Sequence, residues 1–363
     1  MDSSHLADAE GAALLRFLVG EEPQATPGLD TFSAWLAFAS RQRLVPLLYH
    51  FVDEQCIELA DEQLVELHDA QIEVMSVAAR HDQQLIDLGE LLRPVDVAFA
   101  ALKGAAVANL DYPDPSWRQY GDLDVLVLGD DLPQVCELLT ESGWRRGYPI
   151  PKGHERFTHA ITMTHGRGRE LDVHQRLAHR AVGLRIPVPE MLRRRVHFEI
   201  AGVEVPALSI QDRMIHVAVH AEMSRLESRR LSSVADVLLL ATDRKMLAEE
   251  VIDMAEVWKI RPLVDRSIQN AFSIAGLALP AEWELAMARP VRSRDRLIEA
   301  AYPQGDRRPV REELAHVRLM STWGDRWLYT KSFLLAGDDY GRQNDRSGPI
   351  AQGRYLIGRL RDR

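Results

Sequence analysis

From residue 5 to about residue 93 the apolar positions recur at helical spacing. TFSAWLAFASRQRLVPLLYHFV (Thr31 to Val52) places Trp35, Leu36 and Phe38, then Leu44, Leu47 and Leu48, on one side, and Pro46 is expected to break or restart the helix. Glu62 to Leu92 continues with Leu64, Leu67, Ile72, Met75, Ala78, Leu85 and Leu88, a long amphipathic pattern that ends at Pro94.

The period then changes. VAFAAL (Val97 to Leu102) and LDVLVL (Leu123 to Leu128) are short apolar runs of buried-strand type, separated by Lys103-Gly104 and a small-residue stretch, AAVANL, that can be helical. LPQVCELLTESGW predicts an amphipathic helix stopping at Gly143. RFTHAITMTH and ELDVHQ flank Gly166-Arg167-Gly168-Arg169 as the two arms of a hairpin. Helical spacing returns from Leu208, with Ser209 and Ser232 as expected N-caps.

These elements predict an α+β protein in four parts. A small mixed β-sheet core (94–206) is flanked by an N-terminal helical region (1–93) and a C-terminal helical domain (207–340), and an Arg/Gly-rich tail (341–363) is expected to attach loosely.

Composition changes this picture little. The chain has 363 residues and a net charge of −10, so its surface as a whole does not attract a polyanion; a nucleic-acid partner would need a local basic patch. Two cysteines, Cys56 and Cys136, make neither a metal motif nor a disulfide framework and fit a reducing cytoplasm. No run is long and apolar enough for a membrane span, and the first residues lack a leader's basic region, so a soluble, cytoplasmic protein is expected. Lysine occurs at five positions only, Lys103 among them.

The candidate chemistry lies in GDLDVLV. Side chains alternate along a strand, so Asp122 and Asp124 project the same way. Two carboxylates about 4 Å apart repel by about 4 kcal/mol at an effective dielectric of 20. Solvation, protonation of one member or a divalent cation between them relieves this, and magnesium, a hard cation that takes carboxylates and phosphate oxygens, suits the third case. In ELDVHQ, Asp172 shares a strand face with His174. Laid beside the first aspartates it would complete three carboxylates, enough for two metal ions.

The combination of LKG, Tyr112, Arg118, GDLDVLV and LDVHQ resembles the uncharacterised nucleotidyltransferase-like family of the DNA polymerase beta-type superfamily. The resemblance extends upstream to WLAFASRQRLVPLLYHFV and downstream to VPALSIQDRMIHVAVHAE and RLSSVADVLLL, covering most of residues 31 to 240. It implies a nucleotidyltransferase core in which Asp122, Asp124 and Asp172 bind two Mg²⁺ ions. The co-substrate would be a nucleoside triphosphate (ATP is the first choice), and pyrophosphate would be released. The superfamily's usual Gly-Ser after the first strand is replaced by Lys103-Gly104-Ala105, so Lys103, Gly104 and Arg118 are the expected phosphate ligands. The expected acceptor is a small molecule or a natural-product peptide. Transfer to tRNA or protein, and a catalytically inactive nucleotide-binding scaffold, are the alternatives.

The remaining candidates each have two readings. Arg118 and Lys103 either contact phosphate or are ordinary loop and strand-end charges. His174 orients Asp172, meets substrate, serves as a base, or is a buried structural histidine. His216 and His220 stand four apart, a spacing that can bind metal, yet without a further ligand they fit packing or a substrate pocket better. Asp236, in an apolar helix, needs a partner such as Arg229 or Arg230, and Arg193–Arg195 reads as a solvated cluster or a contact for a polyanion. No Walker loop, dinucleotide fingerprint or nucleophile elbow is present.

Overall fold

The computed structural model describes residues 9–147, 156–166, 168–223, 230–304 and 309–334. The chain opens with α1 (Ala9–Leu18), α2 (Phe32–Gln42), α3 (Val45–Glu54) and α4 (Asp61–Leu92). Arg43 takes a left-handed conformation after α2, and Pro46 stands in the first turn of α3, where its missing N–H costs nothing, so the proline restarts the helix as expected. The long α4 runs out at the turn containing Pro94.

Strand β1 (Phe99–Ala101) leads into α5 (Lys103–Leu110), β2 (Asp124–Val127), α6 (Leu132–Glu141), β3 (Arg145–Arg146) and the hairpin β4 (Ala160–His165) and β5 (Arg169–His174). Short helices α7 (Arg180–Gly183) and α8 (Val188–Arg193) precede a second hairpin, β6 (Val196–Ile200) and β7 (Val203–Ala207). The sequence reading had not resolved this hairpin. Its turn, Ala201-Gly202, has positive φ at both residues, and alanine at the first hides a signal that asparagine or glycine would have shown.

The seven strands form one mixed sheet in the order β3-β4-β5-β2-β1-β7-β6. Its two faces have separate jobs. Val125, Val127, Leu171 and Val173 pack with Val135 and Leu139 of α6 and with Leu85 and Leu88 of α4. Ala100, Leu102 and Leu126 belong instead to a core shared with the helices. Strand alternation therefore sends Asp124, Asp172 and His174 toward the helical side.

That side comprises α9 (Ile210–Met223), α10 (Leu231–Thr242), α11 (Ala248–Val257), α12 (Arg261–Ala275), α13 (Ala281–Met287), α14 (Leu297–Ala301), α15 (Pro309–Leu319) and α16 (Trp323–Leu334). Residues of α1–α3 and of α9–α12 lie in the same hydrophobic core, so the N-terminal and C-terminal helices meet over the sheet. A Cβ on Gly11 would come within 2.5 Å of Leu231, which shows how closely α1 approaches α10.

Ser209 caps α9 as expected, its hydroxyl accepting from the Asp212 amide at 3.3 Å. Ser232 does not cap α10. Leu231 is fully buried and already helical, and its amide donates to Gln42 Oε1 at 2.9 Å, so the helix starts before the serine. The Arg/Gly-rich tail lies outside the described residues. No described helix is long and apolar enough to cross a membrane.

Candidate active site

The site is built where the sheet meets the helices. Strand β2 runs antiparallel to β1, so the end of β1 and the start of α5 sit beside Asp124; the Leu102 amide donates to the Asp124 carbonyl at 3.0 Å. On the other side β2 pairs with β5 in parallel, with Asp124 directly opposite Asp172. The sheet thus brings together carboxylates 48 positions apart in the chain, with His174 two residues further along the same face.

Asp124 is 3 % exposed and carries two partners. Lys103 Nζ lies 2.9 Å from one oxygen and His174 Nε2 lies 2.7 Å from the other. Burial alone would raise this carboxyl, but the Lys103 charge and the hydrogen bond with His174 outweigh it and hold the group well below the usual carboxylate range. Burial likewise opposes the Lys103 ammonium, and the charges of Asp124 and Asp122 push its pKa up. The second ring nitrogen of His174 faces the Arg176 carbonyl at 3.3 Å.

Asp122 stands before the strand, half exposed, 3.3 Å from Arg43 Nη1 and 4.0 Å from Lys103 Nζ. The ammonium of Lys103 therefore lies between the two aspartates and relieves their repulsion from within the chain. Asp172 accepts a hydrogen bond from Thr162 Oγ1 at 2.6 Å. Thr162 is its direct partner across the hairpin, a pairing the short loop fixes. That residue was readable from the hairpin register and escaped the sequence reading.

Among the described residues, ligand atoms of Asp124, Asp172 and His174 all lie within 4.8 Å of one another. Two carboxylates and an imidazole, with a third carboxylate at the rim, form an oxygen-rich donor set that suits a hard divalent cation. The residues therefore fit a metal, with Lys103 as the charge such an ion would have to displace or share.

A pocket opens beside this cluster, walled by Lys103, Gly104, Tyr120, Asp122, His220 and the start of α10. Gly104 has a packing reason for its missing side chain, since a Cβ would come within 2.7 Å of the Tyr120 Cβ. Tyr120 in turn donates to Asp82 at 2.7 Å.

Arg118 lines the pocket, but its guanidinium is committed. Nε and Nη2 reach the two oxygens of Asp236 at 2.7 and 2.8 Å, and Nη1 donates to the Gln119 carbonyl. Tyr112 adds a hydrogen bond to Asp236 at 3.0 Å. Asp236 thus pairs with Arg118 and not with Arg230, while Arg229 lies outside the described residues. The reason is tertiary: Asp236 faces inward on α10, toward the loop before β2.

His220 reaches the pocket wall. Burial, with the Lys103 charge nearby, pushes its pKa down to about 3 and keeps the ring neutral. Its neighbour His216 is buried and also held neutral, and the described residues offer no third ligand to the pair, which agrees with packing and pocket roles. Of the 193–195 arginines, Arg194 is bound to Asp212 at 2.6 and 2.5 Å, so the run is not a uniform basic patch.

Residues 30–276 match the family described as "Uncharacterised nucleotidyltransferase", and the chain belongs to that family. The match spans the sheet, the candidate site and the helices α9–α12 that close it. No curated protein matches the chain. Among solved structures, an antigenic nucleotidyltransferase-like protein from Paracoccidioides brasiliensis aligns at a TM-score of 0.34 and 16 % identity, over 58 % of this chain and 97 % of that one.

Proposed function

We propose that the protein transfers a nucleoside monophosphate from a nucleoside triphosphate, ATP in the first instance, to an acceptor group, releasing pyrophosphate. The observation that carries this reading is the parallel register of Asp124 against Asp172, with Lys103 on Asp124 and Asp122 at the rim of a pocket. Family membership supports the reaction class.

Mg²⁺, held by Asp122, Asp124 and Asp172, would supply positive charge to the phosphates and to the acceptor oxygen. Asp172 has one oxygen engaged by Thr162, which turns the carboxylate and leaves the other oxygen to take the acceptor's proton. Lys103 binds a phosphate oxygen as a point charge while staying within reach of Asp124. His174 fixes the rotation of Asp124 from behind. Tyr120 and Gly104 shape the wall against which the nucleotide lies. The acceptor class we favour is a small molecule or a natural-product peptide, in keeping with the chain's net charge of −10. A cytoplasmic setting agrees with Cys56 and Cys136 both being free thiols.

The test is a calorimetric titration of ATP, GTP, CTP and UTP with Mg²⁺, on wild type and Asp122→Asn, paired with a pyrophosphate-release assay over a panel of acceptors. Metal-dependent binding of one nucleotide that weakens at least tenfold in the variant is expected. Binding of none of the four would overturn the proposal. Binding without pyrophosphate release for any acceptor would favour the inactive nucleotide-binding alternative, for which the missing Gly-Ser after β1 is the specific motive.

A further inference from the structure

The start of α10 also lines the pocket, with residues whose chemistry the sheet does not explain. Arg230, Ser232 and Ser233 all line the pocket at the first turn of a twelve-residue helix. The Leu231 amide is taken by Gln42 and the Ser233 amide by the Arg230 carbonyl, so this helix end offers an anion the positive end of its dipole and its serine hydroxyls. Ser232 is 3 % exposed, borders the pocket, and its hydroxyl makes no hydrogen bond among the described residues. A hydroxyl that borders a polar pocket on an otherwise buried residue can turn its proton toward an acceptor atom there.

The charges agree. Arg43, from the corner between α2 and α3, lines the same wall and is the neighbour whose charge, after burial, does most to push the Arg230 guanidinium down. Arg230 has no carboxylate within ion-pair distance among the described residues. Two guanidinium groups held near each other, with only the half-exposed Asp122 to share, lower their energy when an anion arrives. Lys103 and Gly104 at the start of α5 line the same pocket, so two helix N-termini border one space.

From this geometry we infer that the terminal phosphates of the nucleoside triphosphate are held by Arg43, Arg230 and the hydroxyls of Ser232 and Ser233 at the start of α10. The helical region then supplies the hydroxyls that the Gly-Ser turn would supply from the sheet, and it retains the pyrophosphate after transfer. This rests on the proposed nucleotidyl transfer and adds to it the residues that grip the leaving group.

Inorganic tripolyphosphate isolates the contact from base, sugar and acceptor. Its binding, and that of the preferred nucleoside triphosphate and the matching monophosphate, would be measured on full-length wild type, Arg230→Gln and Ser232→Ala/Ser233→Ala. Arg230 is exposed and Ser→Ala removes one atom per site inside a helix, so the fold is expected to survive, and thermal melting checks this. Tripolyphosphate and triphosphate should each bind at least tenfold more weakly to the variants, and the monophosphate less than twofold. Arg230→Lys should recover part of the loss. Triphosphate affinity within twofold of wild type in both variants, or no tripolyphosphate binding by wild type, would overturn the cradle even if aspartate-dependent turnover is found. Tripolyphosphate binding lost in the variants, with no nucleotide consumed by wild type, would uphold the cradle and remove the transferase reading instead.

Discussion

Lys103, Asp124 and Asp122 show how burial separates two residues that the sequence presents as equals. Asp124 holds a buried ammonium and a histidine, so Asp124→Asn takes from Lys103 its one close carboxylate and leaves the half-exposed Asp122 at 4.0 Å and the charge of Asp172. Breaking a buried pair in this way costs about 3–5 kcal/mol. Asp122→Asn removes a half-exposed carboxylate and should cost ~1 kcal/mol or less. Urea denaturation of both variants checks the contrast: equal losses would mean that Lys103 does not depend on Asp124. Gly104→Ala separates two further readings. If the glycine is there for Tyr120, the Cβ 2.7 Å from Tyr120 should cost about 1–3 kcal/mol in thermal unfolding. A stable variant that has lost only nucleotide binding would assign the glycine to ligand approach. At this scale the period-2 pattern placed Asp124 and Asp172 correctly, and the hairpin loop contained enough information to find Thr162. Arg43 had no local signal, because it meets Asp122, 79 positions away, and not a neighbour in the chain.

Among the elements, two buried ion pairs fasten the sheet unit to the helices. Arg118, in the loop before β2, grips Asp236 of α10, and Arg213 of α9 grips Asp111 at the end of α5 with bonds of 2.8 and 2.6 Å. Either single change, Arg118→Met or Asp236→Leu, should cost about 3–5 kcal/mol, because each strands a buried charge. The double variant should recover a clear part of that loss, since it strands none. A double-mutant cycle by chemical denaturation measures the coupling, and additive losses would show that the two side chains do not act as a pair. Helix boundaries at Pro46 and Pro94 were legible because proline acts through its own ring and missing N–H. The start of α10 was not, because Leu231 is drawn into the helix by burial against α1 and by a cap from Gln42, 189 residues away.

For the whole molecule, buried histidines give an acid limit, His216, His220 and His316 among them, with His159 and His179 also held low by burial. Burial holds His216, His220 and His316 well below the ordinary pKa near 6.5, the last two at about 3. His216 and His220 face Lys103, while His316 packs edge-on against Tyr302 near Arg180, so neighbouring positive charge reinforces burial. In the unfolded chain these rings take protons as pH falls through about 6.5; in the folded chain they do not. The unfolded state then binds more protons, and their stability contribution, complete above that pH, is lost progressively toward pH 3. At pH 5 the loss is on the order of 2 kcal/mol per ring. The urea midpoint should fall steeply between pH 7 and 5, and His316→Leu should flatten the slope. A midpoint independent of pH over that range would show that these rings are solvated.

The sequence by itself determined the α+β class, the course of the long helices, both strands of the site and the shared face of Asp124 and Asp172. Each depends on a short period or on a residue acting within its own turn. Only the tertiary structure decided that Lys103 sits between the aspartates, that Arg118 is bound to Asp236, and that Arg43 lines one pocket with Arg230, Ser232 and Ser233. Those relations join residues tens to hundreds of positions apart, through β2–β5 pairing and through the meeting of α1 with α10. No local propensity encodes such a meeting; it follows from burying the apolar faces of all these elements at once.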